Sequence, residues 1–401
     1  MDGKHAWIAA CVTLAILSIS FGAPLLVVVG LKPMQEAMGT ERSVLALGGA
    51  LVWIGTGLGG MLMGPLADRI GIRAIVALGT MMIAAGLAVS ALGSVEALYV
   101  GHGLMIGVGN GAIYAPLLIY VSRWFDRRRG TAIALISSGQ YIAGVVWPSV
   151  FGAGITAFGW QLTMLSYAAV VLVVILPTLP LLRPIPVQWV TDPDTRVDRS
   201  RGTVLGLRPS TVQALICVAA FCCCVPMAVP SAHLVAFCGD IGIAPTHSAA
   251  MLSVLLGAAF VSRQLWGAMA DRIGGLRTVL IGSWCQAVAI TGFLFTQSEV
   301  GLFAISAAFG LGFSGIIPSY SVAIRDLFPS SEASWRIPTV LMVSMAGMAF
   351  GSWFAGALYD MFGFYAPAFA AGVLFNAANV LTIGFLVRQS RGLDAVETQV
   401  A

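Results

Sequence analysis

Gly64-Pro65-Leu66-Ala67-Asp68-Arg69-Ile70-Gly71-Ile72-Arg73 is a short charged segment between two long apolar runs, and it returns near the middle of the chain as Gly267-Ala268-Met269-Ala270-Asp271-Arg272-Ile273-Gly274-Gly275-Leu276-Arg277. Asp68 and Asp271 stand 203 residues apart. The same offset relates Gly107 and Gly109 to Gly310 and Gly312, and Gly144 to Gly347. An internal repeat this long predicts two homologous halves. Within each copy the first Gly (Gly64, Gly267) permits close approach of helices. The Asp is suited to the positive N-terminal end of a neighbouring helix, and the Arg residues (Arg69 and Arg73, Arg272 and Arg277) anchor at a membrane interface.

The runs flanking these segments are long enough to cross a bilayer, whose core of about 30 Å takes roughly 20 apolar helical residues. Runs of that size fall near 6–30, 43–67, 74–93, 97–122, 130–155, 161–182, 211–238, 247–270, 276–296, 300–324, 337–360 and 364–387. The first has no small-residue cleavage site and is followed by five more before any long loop, so it reads as a helix rather than a signal peptide. Of the 401 residues, 58% are hydrophobic and 9% charged, where an ordinary soluble domain carries about 25% charged residues. A soluble enzyme is excluded by that balance. The expected fold is an all-α membrane protein of twelve transmembrane helices in two pseudo-symmetric six-helix bundles. They cover 1–182 and 211–389, joined by a linker at 183–210 that holds five Arg, three Asp and four Pro, and followed by a tail at 390–401.

Charge placement predicts orientation. Eighteen of the 21 Lys and Arg fall in the termini and the loops on the termini's side, and two, Lys32 and Arg42, in the opposite loops. Basic residues near helix ends stay on the cytoplasmic side, so both termini are expected there, in a plasma or bacterial inner membrane. Arg263 is left over, inside the eighth span.

A guanidinium stays protonated, and holding one at bilayer depth costs about 2.5–3.5 kcal/mol on the insertion scale. One reading is that Arg263 snorkels to the headgroups. The other is that it faces a wet cavity as the fixed charge for an anion, since its fork matches a carboxylate. All 17 acidic residues map to termini, loops or helix ends. On the fourth span Gly103, Gly107, Asn110, Gly111 and Tyr114 share one face. On the fifth Ser137, Gln140, Tyr141, Gly144 and Pro148 do the same. Asn110, Tyr114, Gln140 and Tyr141 are therefore candidate substrate contacts, the alternative for each being an interhelical hydrogen bond. The seventh span has Pro226 and Pro230 one turn apart, then His233, which predicts a locally opened helix. His233 is a candidate to bond substrate or carry a proton; the alternative is a bond to a freed carbonyl. Asp240, at the end of that span, is a second candidate proton carrier. His102 and His247 read as solvated.

Gly55-x-Gly57-x-x-Gly60 matches a dinucleotide fingerprint literally but lies in an apolar span with no strand before it, so it reads as helix-packing glycine. The seven cysteines lie in spans without metal-ligand spacing. No cofactor, metal, catalytic group or nucleic-acid partner is expected.

The paired G-x-x-x-D-R-x-G-x-R segments resemble the signature loop of the major facilitator superfamily. The resemblance spans essentially the whole chain and implies two six-helix halves around a cavity open alternately to each side. Three further segments resemble the monocarboxylate transporter and oxalate/formate antiporter group: Arg123-Trp124-Phe125-Asp126-Arg127-Arg128-Arg129-Gly130 leading to Ser138-Gly139, the stretch Val225-Pro226 to His233-Leu234, and Arg263 four residues before Gly267. Departing from the animal transporters, Leu25 stands where they carry a lysine and Ala259 where they carry an acid. The expected function is secondary transport of a small organic anion, most simply a monocarboxylate, with proton symport or anion exchange and the monomer as the functional unit. The alternative is efflux of neutral or anionic amphipathic compounds.

Overall fold

A computed structural model describes residues 3–125, 129–183, 203–328 and 330–400, with side chains throughout except at 64, 65, 68, 122, 129–131, 134, 330, 331, 333, 334 and 391–400. Twelve helices in it are long and apolar enough to span a membrane. We number them α1 (Lys4–Met38), α2 (Arg42–Ile70), α3 (Ile72–Ser90), α4 (Val95–Leu98, a π-helical Tyr99–Ile106, then Gly107–Ser122), α5 (Arg129–Ser137 and Gly139–Phe158) and α6 (Trp160–Thr178). The second set is α7 (Pro209–Asp240), α8 (Pro245–Ile273), α9 (Gly275–Phe295), α10 (Glu299–Phe313 and Ile316–Leu327), α11 (Ser330–Phe362) and α12 (Ala366–Val400). Each expected apolar run is one of these helices.

The repeat is visible in the backbone. Glycines with positive φ end helices at matched places: Gly39 and Gly242 (60° and 87°), Gly71 and Gly274 (88° and 81°), Gly159 and Gly363 (81° and 79°). Residues with a Cβ rarely adopt that conformation, so Gly71 and Gly274 of the repeated segments are required by their turns.

At its end α1 continues to Met38 rather than stopping near residue 30. Hydropathy falls there because the extension is amphipathic: Leu31 and Met34 are buried while Lys32 and Gln35 meet polar partners. The helix stops at Gly39, whose N–H bonds the Gln35 carbonyl at 3.0 Å.

Cα packing divides the chain into two compact units. The first comprises Met1–Asp192 with Ser231–Gly257 and Ser352–Phe364, so it holds α1–α6 together with the end of α7, the start of α8 and the end of α11. Its centre is a glycine seam. A Cβ added at Gly55 would lie 2.8 Å from the Gly103 carbonyl oxygen, and one at Gly59 only 2.5 Å from that of Val108, so α2 and α4 touch backbone to backbone. This is the packing role expected of the fingerprint-like glycines. In the same unit α1 breaks at Phe21, because Pro24 has no N–H for the Ser20 carbonyl. Side chains take carbonyls beside the break: Trp147 Nε1 donates to Ser18 O at 2.9 Å and the Tyr167 hydroxyl to Ile19 O at 2.6 Å.

The second unit comprises Pro193–Pro230, Ala258–Gly351 and Tyr365–Ala401. A buried polar network ties α9 to its neighbours. Asn376 and Asn379 on α12 donate to Ser283 O and Oγ at 3.2 and 2.9 Å, Tyr320 on α10 donates to Asn379, and Gln286 donates to the Cys223 carbonyl of α7 at 3.1 Å. Phe293 stacks on Phe369 at 5.0 Å beside it.

Candidate substrate and gating residues

Arg263 belongs to the second unit. The residues around it on α8 are pinned to α10 where α10 is interrupted at Ser314-Gly315. Ser262 Oγ lies 2.7 Å from Ser314 Oγ and donates to Gly310 O at 3.2 Å; Trp266 Nε1 donates to Leu311 O at 2.7 Å. Gly315 is glycine because the Trp266 side chain occupies the space a Cβ would need. Arg263 therefore leaves a stretch of helix fixed on both sides, and its own side chain is half-buried. In the first unit, Leu256 is the residue packed onto Gly144 of α5.

The other candidates belong to the first unit. Tyr114 is half-buried and meets Phe21, at the break in α1, edge to face at 5.4 Å. Asn110 is fully buried, and both ends of its amide lack a hydrogen-bond partner among the described residues. Gln140 is half-buried and Tyr141 buried on α5. The glycines that share the α4 face with them, Gly103, Gly107 and Gly111, are turned onto α2. His233 is fully buried with ring Nε2 2.7 Å from the Ser352 carbonyl oxygen of α11. His247 is exposed, but His102 is not solvated as its position near a helix end suggested. It is fully buried in the π-helical stretch of α4, facing the Pro24 carbonyl without a hydrogen bond of normal geometry. Small neighbours explain the difference: the Gly86 and Gly101 seam draws this end of α4 against α3.

The repeated segments divide their work. Arg73 clamps the end of α6, its Nε donating to Leu182 O at 2.7 Å and Nη2 to Pro180 O at 3.0 Å, as a cation at a helix C-terminus should. The N-terminus of α9 is capped by Asp326, which accepts from the Gly275 N–H at 2.9 Å. Asp271 and Arg272 are exposed, as is Arg69. Asp326 ends α10, the antiparallel neighbour of α9, and so reaches the cap more directly than Asp271 in the last turn of α8. Among the described residues a Cβ at Gly267 would meet nothing within 4 Å, so the close approach expected of that glycine is not made there. The side chains at Gly64 and Asp68 lie outside the described residues.

Sequence reasoning missed a polar cluster in the first unit. Arg42, at the start of α2, is 2% exposed. Its two Nη atoms grip the two carboxylate oxygens of Asp240, its Nε donates to Gln35 Oε1 at 2.8 Å, and its guanidinium lies 3.8 Å from the centroid of the Tyr359 ring. Lys32 Nζ sits 3.4 Å from Asp240 Oδ1 and donates to Gly239 O at 3.0 Å. Asp360, at the end of α11, accepts the Arg42 and Ser43 N–H groups at 2.9 and 2.8 Å and so caps α2. The signal was present in the sequence, since Lys32 and Arg42 are the two cations placed against the orientation rule, while acids close the seventh and eleventh spans.

Comparison with known proteins agrees with this architecture. The Major Facilitator Superfamily model matches residues 7–237 and 214–399. Monocarboxylate transporter 13 of Rattus norvegicus is 25% identical, over 78% of this chain and 73% of its own length. MFS-type transporter pynF of Aspergillus niger is 24% identical, over 80% of this chain and 73% of its own. The crystal structure of a bacterial homolog to the human lysosomal transporter Spinster, in an inward-facing and occupied conformation, has a TM-score of 0.75 at 15% identity and covers 98% of both chains. Twelve apolar helices, a doubled turn segment and a family match over nearly the whole length make this chain an integral membrane transporter of the Major Facilitator Superfamily, with monocarboxylate transporters among its relatives.

Proposed function

We propose that the protein carries a small organic anion of the monocarboxylate type across the membrane by alternating access, with Arg263 as the fixed positive charge that holds the carboxylate. The observation that carries this is the setting of Arg263: a guanidinium carried by a membrane-spanning helix whose residues on either side, Ser262 and Trp266, are bonded to α10. A planar guanidinium on a fixed stretch of helix suits bidentate recognition of a carboxylate. Tyr114, Gln140, Tyr141 and Asn110 supply hydrogen bonds from the first half of the chain. The moving parts are the halves 1–182 and 211–389, joined by the polar linker 183–210, and both termini lie in the cytoplasm by the distribution of Lys and Arg. A carboxylate entering alone works against the usual membrane potential, so uptake runs with a proton or in exchange for another anion. One monomer carries out the cycle.

The test is a thermal-shift screen of purified protein against mono- and dicarboxylates, followed by proteoliposome uptake of the best hit. A monocarboxylate that stabilises the protein and is transported, with both effects lost in Arg263→Ala, supports the reading. Correctly inserted Arg263→Ala that transports normally overturns it.

A further inference from the structure

The geometry points to a second anion-binding site: Arg42 and Lys32 form a carboxylate-receiving fork that Asp240 fills in this structure, and a substrate carboxylate takes the place of Asp240 when the cluster opens. This rests on the reading that the cargo is an organic anion. Asp240 is bound as a free carboxylate would be, both oxygens in the Arg42 fork, with Lys32 beside one of them. The cations are also arranged for exchange. The Arg42 side chain is 3% exposed and that of Asp240 19%, so the fork lies deeper than the acid it holds and is approached from the acid's side.

Charge favours the exchange. Lys32 and Arg42 share Asp240, whereas Asp360 is committed to the backbone N–H groups that begin α2. Withdrawing Asp240 takes from the enclosed Arg42 guanidinium the carboxylate that fills its fork, a costly change unless another anion takes that place. An incoming carboxylate restores the charge balance, so anion on that side of the membrane favours opening. The second buried arginine makes the contrast. Arg336 is 5% exposed and bonds Glu332 at 2.7 and 2.8 Å, but both lie on one turn of α11, where no movement of helices can part them. Arg42 and Asp240 come from different helices, the start of α2 and the end of α7, so movement of one helix against the other parts them.

The experiment uses full-length protein in nanodiscs, with acetate, lactate and benzoate as probes and chloride as the control, and compares wild type with Asp240→Asn, Asp240→Asn/Arg42→Gln and Arg263→Ala. Calorimetry should find the carboxylates bound about tenfold more tightly by Asp240→Asn, whose fork has lost its tethered competitor, and the gain should vanish in the double variant. Hydrogen exchange at residues 42–43 should rise in Asp240→Asn and fall again when the carboxylate is added. Equal affinity in wild type and Asp240→Asn, or a gain that survives Arg42→Gln, overturns the proposal. Unchanged binding by Arg263→Ala overturns the principal site instead and leaves the Asp240 comparison to be judged alone. Failure of every variant to bind any of the probes overturns both.

Discussion

Arg42 and Asp240, far apart in the sequence, meet as a two-pronged ion pair with the guanidinium almost wholly enclosed. The pair fastens the α1–α2 connection to the end of α7, and Asp360 adds the end of α11 by capping α2. An exposed pair would contribute little, whereas a buried one adds little net stability yet is costly to break by removing one partner. What such an arrangement offers a transporter is a bond that is firm when made and can be exchanged when charge is supplied from outside.

Asp360 gives the most direct check on that cluster. It accepts two N–H groups at the first turn of α2, so Asp360→Ala should cost about 1 kcal/mol in cap energy, with a further ~0.3–1 kcal/mol from the helix dipole. Faster hydrogen exchange confined to residues 42–45, with a lower thermal midpoint in detergent, is the expected outcome. Unchanged exchange there means the cap contributes nothing.

The glycine seam predicts two opposite results from one kind of substitution. Gly59→Ala would put a methyl 2.5 Å from the Val108 carbonyl oxygen and 2.9 Å from its Cα, backbone that cannot yield locally. A loss of about 1–3 kcal/mol is expected, read as poor recovery of monodisperse protein. Gly49→Ala, where an added Cβ meets nothing within 4 Å, should be neutral or stabilise by up to about 1 kcal/mol through helix propensity.

Apolar run length made all twelve helices legible, because lipid leaves the backbone almost no other structure. The doubled segment made the two halves legible because positive-φ turns need glycine, as at Gly71 and Gly274. Side-chain partners were less accessible. His102 looked solvated from its place near a helix end and is buried, since glycines on α3 and α4 let the helices close over it. Arg42 was read only as a topology charge, because nothing local links it to an acid so distant in the chain. Helix phase grouped Gly103, Gly107 and Gly111 with Asn110 and Tyr114, yet phase alone does not say which neighbour a face meets, and those glycines meet α2.

His233 bonds the Ser352 carbonyl within a fully buried setting, which separates a structural part from a proton-carrying one. His233→Gln keeps a donor near that carbonyl, so uptake should retain its dependence on a pH gradient. His233→Ala loses the bond and leaves a cavity, and should lower stability by about 1–3 kcal/mol. Loss of the pH dependence in a well-folded His233→Gln protein would instead make the imidazole the proton carrier.

Arg263 and its two anchors allow the binding charge to be separated from what positions it. Arg263→Lys keeps a cation but replaces a planar fork with a point charge, so the apparent KM for a carboxylate should rise well beyond tenfold while some transport persists. Trp266→Phe keeps the ring and removes only the donor to the Leu311 carbonyl, a bond worth about 1 kcal/mol. If Trp266 fixes the direction of the guanidinium, that variant should show a roughly fivefold rise in KM, the factor corresponding to 1 kcal/mol, with kcat little changed. A purely structural tryptophan would lower the yield of folded protein and leave the KM of the surviving fraction where it was. Measuring uptake against substrate concentration in proteoliposomes, normalised to protein inserted, distinguishes the two, because yield cancels from KM.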